Sequence, residues 1–173
     1  MAATETKKPR TTAQVGRAYF EAIAAKDLDA ATALWKPGCK DVIHGVAELT
    51  APDGIREYFT GIYRAFPDFR FEIVEFAASG KLAACRWRAT GTFRGPGRFQ
   101  GLAPNGKPLE IEGCDMVRVE DGLIVANNAY MNGQQIAERL GVLPPPESPA
   151  GKAMTAAINA KTSIVDLVRR IAP

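Results

Sequence analysis

A chain of 173 residues, 46% hydrophobic and 24% charged, is long enough for one domain with a proper core and a short extra segment. Its net charge of +3, with only Lys7, Lys8 and Arg10 as a basic leader, gives no electrostatic footprint for nucleic acid. No apolar run reaches the ~18 residues of a membrane span and no signal-peptide core follows Met1, so the expectation is a cytoplasmic protein with no nucleic-acid partner and no membrane partner.

Taken in chain order, residues 1–11 read as a flexible polar leader. From Thr12 the apolar positions Val15, Tyr19, Ala22 and Ile23 recur at helical spacing, with Thr11 or Thr12 available as a cap. A second short helix is predicted around Leu28 to Leu34, stopped by Pro37-Gly38. Cys39 to Gly45 is a short strand candidate that carries the single histidine, His44. Ile55, Tyr58, Phe59, Ile62, Tyr63 and Phe66 then form the broad apolar face of a third helix, ended by Pro67-Asp68. Both faces of the next strand, from Phe69, carry apolar residues.

The stretch from Cys85 to Gly141 organises the rest. Ala83, Cys85, Trp87 and Ala89 alternate with Arg86 and Arg88, the period of a half-buried strand, which predicts that both arginines point outward. Leu109, Ile111, Val117 and Val119 share the inward phase of a second strand, and Asp115 shares it too. Glu120-Asp121-Gly122 is a hairpin signal leading into a third strand, Leu123 to Met131. Gly133 and a short helix around Ile136 and Leu140 follow, with Gly141 as its stop. Helices first and strands afterwards give an α+β fold, in which a curved antiparallel sheet and the N-terminal helices enclose a pocket. That domain spans 12–143. A Pro-rich linker, 144–149, joins it to a C-terminal amphipathic helix, 150–173, with Met154, Ile158, Val165, Val168 and Ile171 on one stripe.

Cys39, Cys85 and Cys114 lack zinc-type spacing, and their odd number points to reduced thiols. With one histidine and no paired-ligand spacing, no metal site is expected, and the chemistry should need no cofactor.

Asp41-Val42-Ile43-His44, the helix GIREYF, the phrase AFPDFRFEI, GTFRG with GLAPNGKPLEI, the hairpin DMVRVEDGLI and RLGVLPP occur in that order from about Arg17 to Pro145. Together they resemble the polyketide-cyclase-like, or ester cyclase, branch of the nuclear transport factor 2-like superfamily, whose cone-shaped, cystatin-like α+β fold also hosts isomerases, dehydratases, epoxide hydrolases and binding modules. The resemblance implies a homodimer and a general base at the end of the last strand. That position is held here by Asn132, an amide that takes no proton at neutral pH. The strand's usual tryptophan and glutamate are replaced by Asn128 and Ala126.

His44 matches a histidine frequent at the pocket mouth in such proteins, and an imidazole can move a proton near neutrality. Asp115, if its phase faces the pocket, is desolvated and becomes a better base; a bulge at Gly113 would return it to the outside. Asn132 stands where the base is implied. Ile124, Ala126, Asn128, Tyr130 and Asn132 read as one cavity wall, and Tyr19, Tyr58, Tyr63, Trp87 and Gln100 complete a pocket for a small, apolar, oxygenated ligand. The reading is an enzyme of acid/base cyclisation or isomerisation. The alternatives are a binding or assembly module that has lost the base, or epoxide opening, which in the resembling proteins uses an Asp-Arg-Asp relay.

Overall fold

The computed structural model describes residues 10–171, so most of the expected leader lies outside the described residues. Helix α1 (Thr12–Ala25) begins with a reciprocal cap: the Thr11 hydroxyl accepts from the Gln14 N–H at 3.3 Å, and the Gln14 carboxamide accepts from the Thr11 N–H at 2.9 Å. Its periodic residues Val15, Tyr19, Phe20 and Ile23 are buried. After α2 (Leu28–Thr32) the chain forms β1 (Trp35–Ile43), longer than the sequence suggests, and β2 (Ala47–Thr50), a strand the sequence reading did not separate. The amphipathic α3 (Asp53–Ala65) follows. Four strands and two helices complete the chain: β3 (Arg70–Ser79), β4 (Leu82–Thr92), β5 (Pro108–Glu120), β6 (Leu123–Met131), α4 (Gly133–Arg139) and α5 (Pro149–Ile171).

The six strands form one curved sheet in the order β2-β1-β6-β5-β4-β3. It is mixed, because β1 lies parallel to β6 while every other neighbouring pair is antiparallel. The long antiparallel hairpins dominate the sequence pattern, and the parallel pair joins elements too far apart in the chain to leave a local signature. Helix α1 packs across β3, β4 and β5, and Phe20, Ile23, Ile55, Phe66 and Ile124 are fully buried between sheet and helices. Burying a side chain of that size is worth roughly 1.5–3 kcal/mol.

Two details of register decide which side chains face inward. The β4/β5 ladder runs unbroken from Leu82 opposite Arg118 to Thr92 opposite Pro108, so no bulge occurs at Gly113 and Asp115 stays on the inner face. The β5/β6 ladder does slip: Arg118 pairs with Ala126 but Val119 with Ile124, leaving Val125 as an extra residue. Beyond Val125 the phase reverses, so Ile124, Asn127 and Ala129 are the buried residues of β6. The wall expected from Ala126, Asn128 and Tyr130 is therefore corrected by a single bulge.

Candidate active site

Three neighbouring strands each contribute one polar side chain to the floor beneath the helices. Parallel register sets Asp41 of β1 opposite Asn127 of β6, and the β5/β6 ladder places Asp115 two residues from Val117, the partner of Asn127. The Asn127 side-chain N–H groups donate to Asp41 Oδ1 at 3.0 Å and to Asp115 Oδ2 at 2.7 Å, so one amide bridges both carboxyls. The Trp87 indole N–H donates to Asp115 Oδ1 at 2.8 Å, and the Tyr19 hydroxyl reaches Asp41 Oδ2 at a long 3.5 Å. Asp41 and Asp115 keep only 2% and 8% of their surface exposed, which makes their charged forms expensive.

Gly113 makes the indole contact possible. It lies opposite Trp87 across the β4/β5 ladder, and a Cβ there would stand 2.3 Å from the indole ring. A larger residue would displace the ring from the space it needs to reach Asp115.

Burial first, then the nearby charge of Asp115, raises the Asp41 carboxyl from 3.8 to about 7, against the pull of the Asn127 and Tyr19 hydrogen bonds. Burial raises Asp115 to about 6, and its hydrogen bonds from Trp87 and Asn127 hold it lower than its neighbour. Near neutral pH the pair therefore holds both an ionised and a protonated carboxyl, the arrangement that separates a base from an acid within one site. Burial, followed by the Asp41 and Asp115 charges, pushes the Tyr58 phenol up to about 12 and the Tyr19 phenol well above its usual range, so both remain hydrogen-bond donors.

The pair opens into a partly enclosed cleft. Its walls are almost wholly apolar: Phe59 from α3, Phe66 at the end of that helix, Phe71 from β3, Leu109 and Ile111 from β5, and Phe99 from the loop before β5 are representative. Tyr19, Tyr58 and the two aspartates are its polar residues. Among the described residues no group of three or more His, Cys, Asp or Glu is arranged to hold a metal ion.

Of the residues singled out in the sequence, the structure brings Asp115, Tyr19, Tyr58 and Trp87 to the cleft. His44 follows the end of β1 and is exposed on the outer face, its ring stacked on Tyr130 at 4.4 Å and its Nε2 2.9 Å from Asn128 Oδ1. The one-residue alternation that buries Ile43 turns His44 away from the cavity. Asn128 and Tyr130 lie on that same outer face for the reason of phase given above. Asn132 is exposed and accepts from the Gln135 N–H at 3.1 Å, as the cap of α4. Gln100 is exposed in the turn that pairs Phe99 with Leu102. Tyr63 donates to the Ile23 carbonyl at 3.1 Å, beside Phe59 and Phe69 rather than on the cavity surface. Arg86 and Arg88 point outward, as their phase predicts, and pair with Glu112. The inward relay of two aspartates about an arginine is not built; Asn127 takes the bridging place.

Sequence reasoning missed Asp41 and Asn127. Asp41 had a signal, since it alternates in phase with Ile43 as Asp115 does with Val117.

A sequence profile of the SnoaL-like domain matches residues 16–127. The chain belongs to the SnoaL-like domain family. No curated protein matches it in sequence. Among solved structures, it is similar to AclR of Streptomyces galilaeus, at 25% identity over 75% of this chain and 95% of that one, with a TM-score of 0.64. A protein of Jannaschia sp. CCS1, assigned as a SnoaL-like polyketide cyclase, shares 16% identity over 82% of this chain and all (100%) of that one, with a TM-score of 0.68. A protein of ketosteroid-isomerase-like fold from Catenulispora acidiphila, in complex with trimethylamine, shares 18% identity over 80% of this chain and 100% of that one, with a TM-score of 0.62. At these identities the last two are likenesses of fold. No helix among the described residues is long and apolar enough to cross a membrane.

Proposed function

We propose that this SnoaL-like protein is an acid/base enzyme that cyclises or isomerises an apolar, oxygenated substrate by moving a carbon-bound proton. The observation that carries this reading is the buried Asp41–Asn127–Asp115 bridge at the floor of an aromatic cleft. Asp115, the lower of the two in pKa, takes the proton next to a carbonyl. Asp41, protonated near neutrality, supports the oxygen on which charge accumulates, and the Tyr58 hydroxyl offers a further donor. Asn127 keeps the two carboxyls apart in role by donating to both. His44 and Asn132 have no part in this mechanism. The protein works, in this reading, as a cytoplasmic homodimer.

The test is exchange of the α-protons of 2-tetralone, an enolisable apolar ketone, in deuterated buffer followed by proton NMR. Wild-type protein should accelerate exchange, and Asp115→Asn should lose a factor on the order of 10² or more, the usual contribution of a positioned base. Exchange no faster than in buffer across a panel of aryl ketones, or unchanged in both Asp115→Asn and Asp41→Asn, would refute the proposal.

A further inference from the structure

The cleft carries charge of one sign only. Asp41 and Asp115 are the charged residues of its lining, and among the described residues no Lys, Arg or His reaches its surface. The titratable groups that sense the pair are the Tyr19 phenol of α1, the Tyr58 phenol of α3, and the Cys85 and Cys114 thiols of β4 and β5, and each of these is neutral when protonated. Arg17, the cation nearest in effect to Cys85, lies over the Phe76 ring at 4.7 Å, and Arg86 is engaged by Glu75 and Glu112 on the outer face. A buried negative charge without a counter-charge is unfavourable, and the protein supplies none here.

The walls are suited to positive charge. Nine aromatic residues line the cleft, Tyr19, Tyr58, Phe59, Phe71 and Trp87 among them. An aromatic face is the negative end of the ring quadrupole and attracts a cation within about 6 Å of its centre. Neutral ligands would use the apolar area but leave the carboxylates uncompensated, and anions would be repelled by them. All four carboxylate oxygens already face protein donors, Asp41 from Asn127 and Tyr19 and Asp115 from Trp87 and Asn127, so the three protons of a primary ammonium would compete for them, whereas a tertiary or quaternary group needs at most one.

We propose that the cleft takes a ligand bearing a tertiary or quaternary ammonium group, seated against the aromatic walls with its positive charge facing Asp41 and Asp115. The inference rests on the reading of this cleft as the substrate site, and does not depend on proton transfer to Asp115.

Phenyltrimethylammonium and its uncharged isostere tert-butylbenzene test it, titrated into the full-length protein near pH 7.5 and followed by tryptophan fluorescence, since Trp87 lines the cleft. The cation should bind about tenfold more tightly than the isostere, or better. That preference should collapse in the Asp41→Asn/Asp115→Asn double variant. It should collapse equally in wild-type protein near pH 5, which keeps the test open if the double variant does not fold. Calorimetry near pH 6.5 in two buffers of different ionisation heat should show protons released on binding the cation, because a positive charge favours the ionised carboxyls.

Equal or tighter binding of the isostere, a cation preference that survives in the double variant, or no binding of either probe would overturn the proposal. If the isostere wins while 2-tetralone exchange is accelerated, the acid/base reading stands and the ammonium inference falls. If the cation is preferred but no ketone exchanges faster than in buffer, the ammonium inference stands and the acid/base reading falls.

Discussion

Asp41→Asn should make the protein more stable, and more so at higher pH. In the folded protein the Asp41 carboxyl is raised from 3.8 to about 7, so the native state holds a proton that the unfolded chain releases. Stability then falls as pH rises from about 4 through about 7, and the loss is complete above that window. At about 1.4 kcal/mol per tenfold, the ionised carboxylate costs the fold roughly 4 kcal/mol at pH 8 and roughly 1 kcal/mol at pH 4.5, both as upper estimates. Asparagine has the same shape without the charge and can still accept from the Asn127 amide. Its effect on packing does not change with pH, so the difference between the two conditions isolates the charge. Urea denaturation of wild type and variant at both pH values should show a gain larger by roughly 3 kcal/mol at the higher one. A variant equally destabilised at pH 4.5 and pH 8 would refute the reasoning, because Asp41 would then be a plain structural acceptor.

Other substitutions separate the site from its surroundings. Asn127→Ala removes the shared donor from both carboxyls and should cost roughly 2–4 kcal/mol at pH 8, and visibly less at pH 4.5, by the same denaturation assay. Gly113→Ala forces a methyl into the Trp87 ring; it should cost about 1–3 kcal/mol and shift the tryptophan emission as the indole leaves Asp115. His44→Ala, on the exposed outer face, should change stability by less than about 1 kcal/mol and leave ketone exchange untouched. Asn132→Asp replaces one good helix cap by another, so thermal melting should move little and exchange should not increase.

The fold class and half of the candidate site could be read from the sequence because β4 and β5 keep strict alternation over their whole length. Trp87 shares its phase with Ala83 and Cys85, and Asp115 with Val117, and an unbroken ladder preserves both relations. On β6 the same rule fails. The extra residue at Val125 has no glycine to announce it, so counting by twos from Ile124 lands on Asn128 and Tyr130 rather than on Asn127 and Ala129. Asp41 went unnoticed for a different reason. The neighbouring histidine drew attention by its chemistry, although the alternation of Asp41, Ile43 and the exposed His44 already separated the inward from the outward residue. The bridge itself depends on the parallel β1/β6 register, a contact between residues 86 apart in the chain that no local pattern encodes.

Burial holds Asp41 and Asp115, bridged by one amide, near neutrality. The most direct measurement is a carbon-13 NMR titration of the aspartate side-chain carboxyls in selectively labelled protein, with Asp41→Asn and Asp115→Asn for assignment. Two carboxyls should titrate near about 6 and about 7, one lost in each variant. If every aspartate titrates below about 5, within the ordinary range, the pair is not poised for acid/base work and the account is contradicted.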